Sequence, residues 1–189
     1  MKVSGRLILF TGLLVALATT CKYFFGPDLD WSGFSPVIAI ALFAGMIIRR
    51  RDFSFMLPLL ALFISDLVIQ VLYAQDLFPY AGLYAGQWKN YALLLSATLL
   101  GWALKGRSYG HLLAGGIAAP TVYFIISNFM VWQVSAHGLY PRSFQGLLTC
   151  YEAAIPFYRN SLVSTLVFLP VILVLYNYFT RKKAALVLA

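Results

Sequence analysis

Charged residues are scarce in this chain. They make up 11% of its 189 residues, whereas 61% are hydrophobic and 16% are aromatic, and the mean hydropathy is +0.82. A soluble domain carries roughly a quarter of its residues as Asp, Glu, Lys or Arg. The scarcity excludes an ordinary soluble protein and predicts an integral membrane protein, for which lipid is the main solvent.

Motifs of several enzyme and redox classes are also missing. The two cysteines, Cys21 and Cys150, form no CxxC pair, and neither they nor the lone His137 form a recognisable metal motif. The chain has no GxxxxGK[ST] loop, no HExxH, no GxSxG and no pair of acids inside one apolar stretch. We therefore expect no catalytic residues, no metal and no cofactor, and active transport would need a gradient or a partner.

Six apolar stretches predict six transmembrane helices in an all-α, polytopic membrane protein. They cover residues 7–23, 34–48, 53–73, 91–104, 111–134 and 160–179. The second and fourth are short for a hydrocarbon core of about 30 Å, so we expect neighbouring helices to cover them. The first could also be a signal-peptide core, but we expect it to stay uncleaved. With no linker or low-complexity tract, residues 1–189 are predicted to form a single domain.

Basic residues are concentrated on one side of this arrangement, which sets its orientation. With the N-terminus inside, the cytoplasmic side carries ten of the fourteen, namely Lys2, Arg6, Arg49, Arg50, Arg51, Lys105, Arg107, Arg181, Lys182 and Lys183. This is the positive-inside pattern, so both termini are predicted to be cytoplasmic in a multi-pass protein of the inner (cytoplasmic) membrane. The net charge of +8 then needs no nucleic acid as partner.

The segment from Tyr140 to Asn160 differs from both the spans and the loops. Its apolar residues fall on one helical face and comprise Leu147, Leu148, Tyr151, Ala154 and Ile155. We expect an amphipathic or re-entrant outer segment before the last transmembrane helix.

Polar and aromatic residues on the outer side form the candidate ligand-binding set. It comprises Asp66, Trp88, Asn90, Asn128, Trp132, Tyr151, Glu152, Arg159 and Asn160. Asp66 is the only carboxylate well inside a predicted span, where it either contacts substrate or makes a helix-packing hydrogen bond. The aromatic residues either stack on a ligand or form an interfacial belt. Asn128 either contacts the ligand or joins two helices.

Several blocks of the sequence resemble an uncharacterised family of small bacterial integral-membrane proteins that is associated with transport. These blocks are Phe34-Ser-Pro-Val-Ile-Ala-Ile-Ala-Leu-Phe-Ala-Gly45, Leu57-Pro58 to Ser65-Asp66, Ser127-Asn128-Phe129 with Trp132, Tyr140-Pro141, and Cys150-Tyr151 to Arg159-Asn160. The six-span plan is also similar to the S components of energy-coupling-factor vitamin transporters. That similarity implies a ligand site near the outer surface, capped by loops, and a transmembrane coupling subunit with separate ATPases as partner.

The expected function is therefore substrate binding and transport rather than catalysis. The protein would take up a small vitamin-like molecule, such as a cobalamin-type or other vitamin, through an outward-facing pocket, with the loop from Ala74 to Asn90 as a lid. The alternative is a non-transporting accessory subunit that docks in a larger membrane complex through Tyr140 to Asn160. A membrane enzyme using Glu152, His137 and Cys150 is a third reading that no residue spacing requires.

Overall fold

The computed structural model describes residues 5–104, 109–134 and 139–180, and these ranges contain six α-helices. The helices are α1 (Gly5–Phe25), α2 (Val37–Ile47), α3 (Arg51–Ala74), α4 (Trp88–Ala103), α5 (Tyr109–Val134) and α6 (Phe144–Thr180). No strand occurs in the part of the chain that the structure describes. The predicted all-α class is confirmed.

Helix α2 lies at the centre of the bundle. All residues from Ile38 to Met46 are buried, because α3, α4, α5 and α6 pack against this helix. Helix α1 contacts it through Phe10, whose ring centroid is 5.7 Å from that of Phe43. A helix that is apolar on every side needs such a cover. Its 11 residues span only about 17 Å, so its short length is compatible with a core position.

Two glycines allow α2 and α4 to cross with their backbones in contact. A Cβ atom on Gly45 would lie 2.1 Å from the carbonyl oxygen of Thr98, and a Cβ atom on Gly101 would lie 2.4 Å from that of Leu42. No side chain fits at either position unless the helices move apart. Gly45 therefore serves packing within the bundle, whereas Gly12 on α1 has nothing within 4 Å of its would-be Cβ.

Four helices are long and apolar enough to cross a membrane. They contain the stretches Ile8–Phe25, Arg51–Ala74, Gly110–Val134 and Phe144–Phe179. Many of their large apolar side chains are exposed on the outside of the bundle, for example Ile8, Val71, Ile125 and Val174. Such an exterior is expected of a protein whose helices face lipid.

Helix α6 differs from the expected outer segment followed by a separate sixth span. The residues from Phe144 to Asn160 form the first part of one continuous helix that ends at Thr180. Its 37 residues correspond to about 55 Å, nearly twice the thickness of a hydrocarbon core. Pro156 lies inside this helix and does not end it, because packed neighbours support membrane helices at proline. The expectation of an amphipathic or re-entrant outer segment before the last helix was therefore wrong, because residues 144–160 belong to the last helix itself.

The close crossing of α2 and α4 predicts a large effect of one methyl group. We expect Gly101→Ala to lower the free energy of unfolding by about 1–3 kcal/mol, because the added Cβ overpacks a backbone contact. Gly12→Ala is the matched control, and there alanine should be neutral or slightly stabilising because of its helix propensity. Thermal unfolding of both variants in detergent, followed by size-exclusion chromatography, measures the difference. Equal midpoints would contradict the proposed crossing.

Candidate functional site

A cavity of about 670 Å³ opens at one end of the bundle. All six helices and two of the connections at this end, residues 26–36 and 75–87, contribute to its wall. The lining residues are Lys22, Gly33, Ser35, Val37, Ile38, Leu62, Asp66, Tyr80, Ala81, Gly82, Tyr84, Gln87, Asn90, Leu94, Pro120, Tyr123, Phe124, Ser127, Asn128, Phe157, Tyr158 and Ser161. Its volume lies within the range of roughly 300–1,000 Å³ that small-molecule pockets occupy.

The carboxylate of Asp66 is buried at the base of this wall, with its side chain only 1% exposed. The ammonium of Lys22 on α1 forms an ion pair with Oδ1. Oδ2 accepts a hydrogen bond from the side-chain amide of Gln87 and a second, of 2.5 Å, from the hydroxyl of Tyr91 on α4. Three donors from three different parts of the chain thus offset the desolvation of one carboxylate.

The connection between α3 and α4, residues 75–87, packs directly against α3. Gly82 lies so close that a Cβ atom there would be 2.0 Å from the carbonyl oxygen of Asp66 and 2.5 Å from the backbone nitrogen of Gln70. The backbone N–H of Leu83 donates to Oε1 of Gln70 over 2.9 Å, and the amide of Gln87 donates to the carbonyl of Gly82 over 3.0 Å. These contacts hold the connection in place as part of the cavity wall.

Aromatic side chains form much of the remaining wall, namely Tyr80, Tyr84, Tyr123, Phe124, Phe157 and Tyr158. The rings of Phe124 and Tyr158 lie 4.8 Å apart, and the hydroxyls of Tyr158 and Thr121 share a hydrogen bond of 2.8 Å. Burial raises the pKa of Tyr80 and of Tyr84, although for Tyr84 a hydrogen bond from Asn90 acts in the opposite direction. Both phenols therefore remain neutral at physiological pH.

Asn128 on α5 presents its side chain to the same cavity. Its Nδ2 donates to the carbonyl oxygen of Phe124, one turn earlier, over 2.8 Å. That bond fixes the orientation of the amide. The amide oxygen has no hydrogen-bond partner among the described residues, so it can accept a hydrogen bond from a ligand.

A second cavity of about 300 Å³ adjoins the first on the side of α1. Lys22 and Tyr80 line both cavities, and Cys21 and Ser65 line the smaller one. The hydroxyl of Tyr80 lies against Gly26, where a Cβ atom would be 2.0 Å from that oxygen. A larger residue at position 26 would force the tyrosine ring to move.

Comparison with known proteins assigns the chain to a family without assigning a function. The model of a family of unknown function, DUF6580, matches residues 2–186. The chain belongs to this family. No curated protein and no solved structure matches it. The expectation of an uncharacterised family is confirmed, and the activity has to be inferred from the site itself.

Three of the nine predicted site residues line the cavity, namely Asp66, Asn90 and Asn128. The three aromatic members of the set lie outside it. Trp88, the first residue of α4, is 67% exposed. The indole N–H of Trp132 donates to the carbonyl of Pro141 over 2.9 Å. The hydroxyl of Tyr151 donates to the backbone carbonyl of Ile125 over 2.7 Å.

The last three predicted residues lie on α6 and also face away from the cavity. Glu152 and Arg159 are exposed. Asn160 is buried, and its Nδ2 donates to the carbonyl oxygens of Asp30 and Ser32 over 2.7 and 2.9 Å. Asn160 thereby fastens the connection between α1 and α2 to α6, which is a structural role.

Sequence reasoning missed Lys22 and Gln87 as parts of the site. Lys22 is a lone cation near the end of an apolar helix, and Asp66 is a lone carboxylate inside another. Since charges within apolar spans are usually paired, that combination could have indicated the ion pair. Nothing in the sequence near Gln87 distinguishes it from an ordinary loop residue.

Neither cysteine forms a disulfide. Cys21 and Cys150 are both free and buried, and the thiol of Cys150 donates to the carbonyl of Asn128 over 3.5 Å. Among residues 5–104, 109–134 and 139–180, no group of three or more His, Cys, Asp and Glu side chains is placed to hold a metal ion. His137 lies outside the described residues.

The buried ion pair predicts a non-additive effect on stability. We expect Lys22→Met or Asp66→Leu alone to lower the free energy of unfolding by about 3–5 kcal/mol, because each leaves an unpaired buried charge. The double variant should lose less than the sum of the two, since no charge remains. Asp52→Asn, an exposed carboxyl at the start of α3, is the control. Thermal unfolding of the four variants tests this, and additive losses would contradict the pairing.

Proposed function

We propose that this chain is a multi-pass protein of the inner (cytoplasmic) membrane that binds a small organic molecule in an outward-facing cavity and takes part in its uptake. The observation that supports this most directly is the cavity of about 670 Å³, to which every helix contributes and whose wall includes six aromatic side chains. Pockets for small molecules combine such apolar walls with a few well-placed polar groups.

The distribution of charge supports the outward orientation. Of the three connections at the cavity end, residues 26–36 and 75–87 contain three aspartates and no lysine or arginine, and the connection between α5 and α6 has Arg142 as its one basic residue. At the opposite end, Arg49, Arg50 and Arg51 lie between α2 and α3. Basic connections stay on the cytoplasmic side, so in this proposal the cavity faces outward and six helices cross the membrane.

Helix lengths are compatible with six crossings. The 16 residues of α4 span about 24 Å and those of α2 about 17 Å, both less than the hydrocarbon core of roughly 30 Å. Short spans are tolerated where neighbouring helices cover them, as they do around α2.

The proposed ligand is a vitamin-like molecule of one or two rings. Tyr80, Tyr84, Phe124 and Phe157 offer faces and edges on which a flat ring can stack, and Asn128 offers a fixed polar group. The cavity volume favours such a molecule over the much larger cobalamin. Because the chain has no ATP-binding loop, import against a gradient would use an ion gradient or a separate coupling subunit with its own ATPases.

Native mass spectrometry of the protein purified gently from its own host tests this proposal. We expect a co-purifying small molecule in one-to-one ratio, because the cavity has room for one molecule of this class. An empty protein with a stoichiometric protein partner would favour an accessory subunit of a larger complex instead. That alternative draws on the exposed face of α6 that carries Glu152 and Arg159.

Filling the cavity should abolish ligand retention. We expect Ser127→Trp to reduce the bound molecule at least tenfold, because Ser127 lines the cavity and the indole would occupy it. Thr149→Trp is the matched control, since Thr149 is exposed on α6 and is not part of the wall. Both variants are first checked for a monodisperse elution profile. Equal retention in folded Ser127→Trp would place the ligand elsewhere.

A further inference from the structure

We propose that the cavity selects an uncharged, flat molecule with hydrogen-bond acceptors and disfavours ligands that carry a net charge. This inference rests on the proposed function as a small-molecule binder and adds the chemical class of the ligand. It follows from the charges in the cavity wall, from the partners of the two charged side chains, and from the hydrogen-bonding groups that remain free.

The wall of the cavity is formally neutral. Lys22 and Asp66 are its only charged side chains among the residues that the structure describes, and they form an ion pair with each other. The phenols in the wall add no charge, as the raised pKa values of Tyr80 and Tyr84 indicate. No charge of either sign is therefore left over for a ligand to neutralise.

Asp66 is not available to a cationic ligand. Its side chain is 1% exposed, and both of its oxygens already have donors, with Lys22 at Oδ1 and with Gln87 and Tyr91 at Oδ2. To reach the carboxylate, a ligand ammonium would have to displace one of these groups and move out of the cavity into the packed interior. The carboxylate acts as a fixed counter-charge for Lys22 rather than as a contact.

Lys22 faces the ligand with hydrogen-bonding capacity but without excess charge. Its side chain is 25% exposed, and the ammonium has three N–H donors, while Asp66 is its one side-chain partner among the described residues. A ligand carboxylate placed there would leave the cluster with a net negative charge in a wall with six aromatic side chains, which is unfavourable. A carbonyl oxygen or ring nitrogen would accept the same N–H at no such cost.

Several hydrogen-bonding groups of the cavity wall are not used within the described part of the protein. The hydroxyl of Tyr84 accepts from Nδ2 of Asn90 over 2.5 Å, so its own hydrogen can point to a ligand. The hydroxyls of Tyr80 and Tyr123 make no hydrogen bond with the described residues and are donors as well. The amide oxygens of Asn90 and Asn128 and the phenolic oxygens themselves can accept. The matching ligand therefore has acceptors for Lys22 and Tyr84 and needs no charge to fit this wall.

Three quinoline probes of nearly equal size and shape test the charge selectivity. They are the uncharged quinoline-3-carboxamide, the anionic quinoline-3-carboxylate and the cationic N-methylquinolinium-3-carboxamide. Equilibrium dialysis against the full-length protein in nanodiscs at pH 7.4 gives their relative affinities. We expect the carboxamide to bind at least tenfold more tightly than either ion.

Charge variants should change this order in opposite directions. Asp66→Asn leaves the charge of Lys22 uncompensated, so we expect the carboxylate probe to gain at least tenfold relative to the carboxamide. Lys22→Gln leaves Asp66 uncompensated, so the methylated cation should gain instead. The double variant Lys22→Gln/Asp66→Asn restores a neutral wall and the original order, even if one single variant fails to fold. Asp52→Asn, exposed at the other end of α3, should leave the order unchanged.

The possible failures of the two proposals can be told apart. Tightest binding of either ion to the wild-type protein overturns the charge inference but leaves small-molecule binding intact. Probe binding that persists in Ser127→Trp also overturns the inference, because the probes would then bind elsewhere. If none of the probes binds, the inference is wrong, whereas a co-purifying molecule that Ser127→Trp loses would still support the proposed function.

Discussion

The carboxylate of Asp66 is the constraint on which the open end of this protein depends. A carboxylate with 1% of its side chain exposed is stable only when its oxygens are satisfied. Its donors come from α1, from α4 and from the connection between α3 and α4. Satisfying one buried charge therefore fixes three parts of the chain relative to α3, and with them the position of Lys22 and Gln87 at the cavity. The same group is part of the cavity wall.

The two ends of the bundle are packed in different ways, and that difference produces the cavity. Where α2 and α4 cross, Gly45 and Gly101 bring the backbones into contact and leave no space. Toward the other end, the large rings of Tyr84, Tyr123 and Phe157 line an open volume. The cavity does not close, because close contacts elsewhere in the bundle already fix the positions of the surrounding helices.

Membership of DUF6580 does not by itself indicate an activity, so the chemistry of the cavity carries the functional argument. Its wall combines aromatic faces with a compensated ion pair and several unshared phenolic hydrogens. In the proposed function, such a surface selects a ligand by shape and hydrogen bonding rather than by charge. The proposed uptake of a neutral ring molecule is compatible with this wall, because it brings no uncompensated charge into the bundle.

The sequence by itself determined the all-α class and the approximate helix positions, because lipid-facing and core helices appear in the sequence as long apolar stretches separated by polar residues. It also marked Asp66, since a lone carboxylate in an apolar stretch requires a partner. Only the tertiary structure decided which side chains meet. Helix rotation and the continuity of α6 through Pro156 decide where its side chains point. They place Asn160 against loop carbonyls and Glu152 on the exterior. Gln87 reaches Asp66 across 21 positions, and no local pattern encodes a contact between residues so far apart.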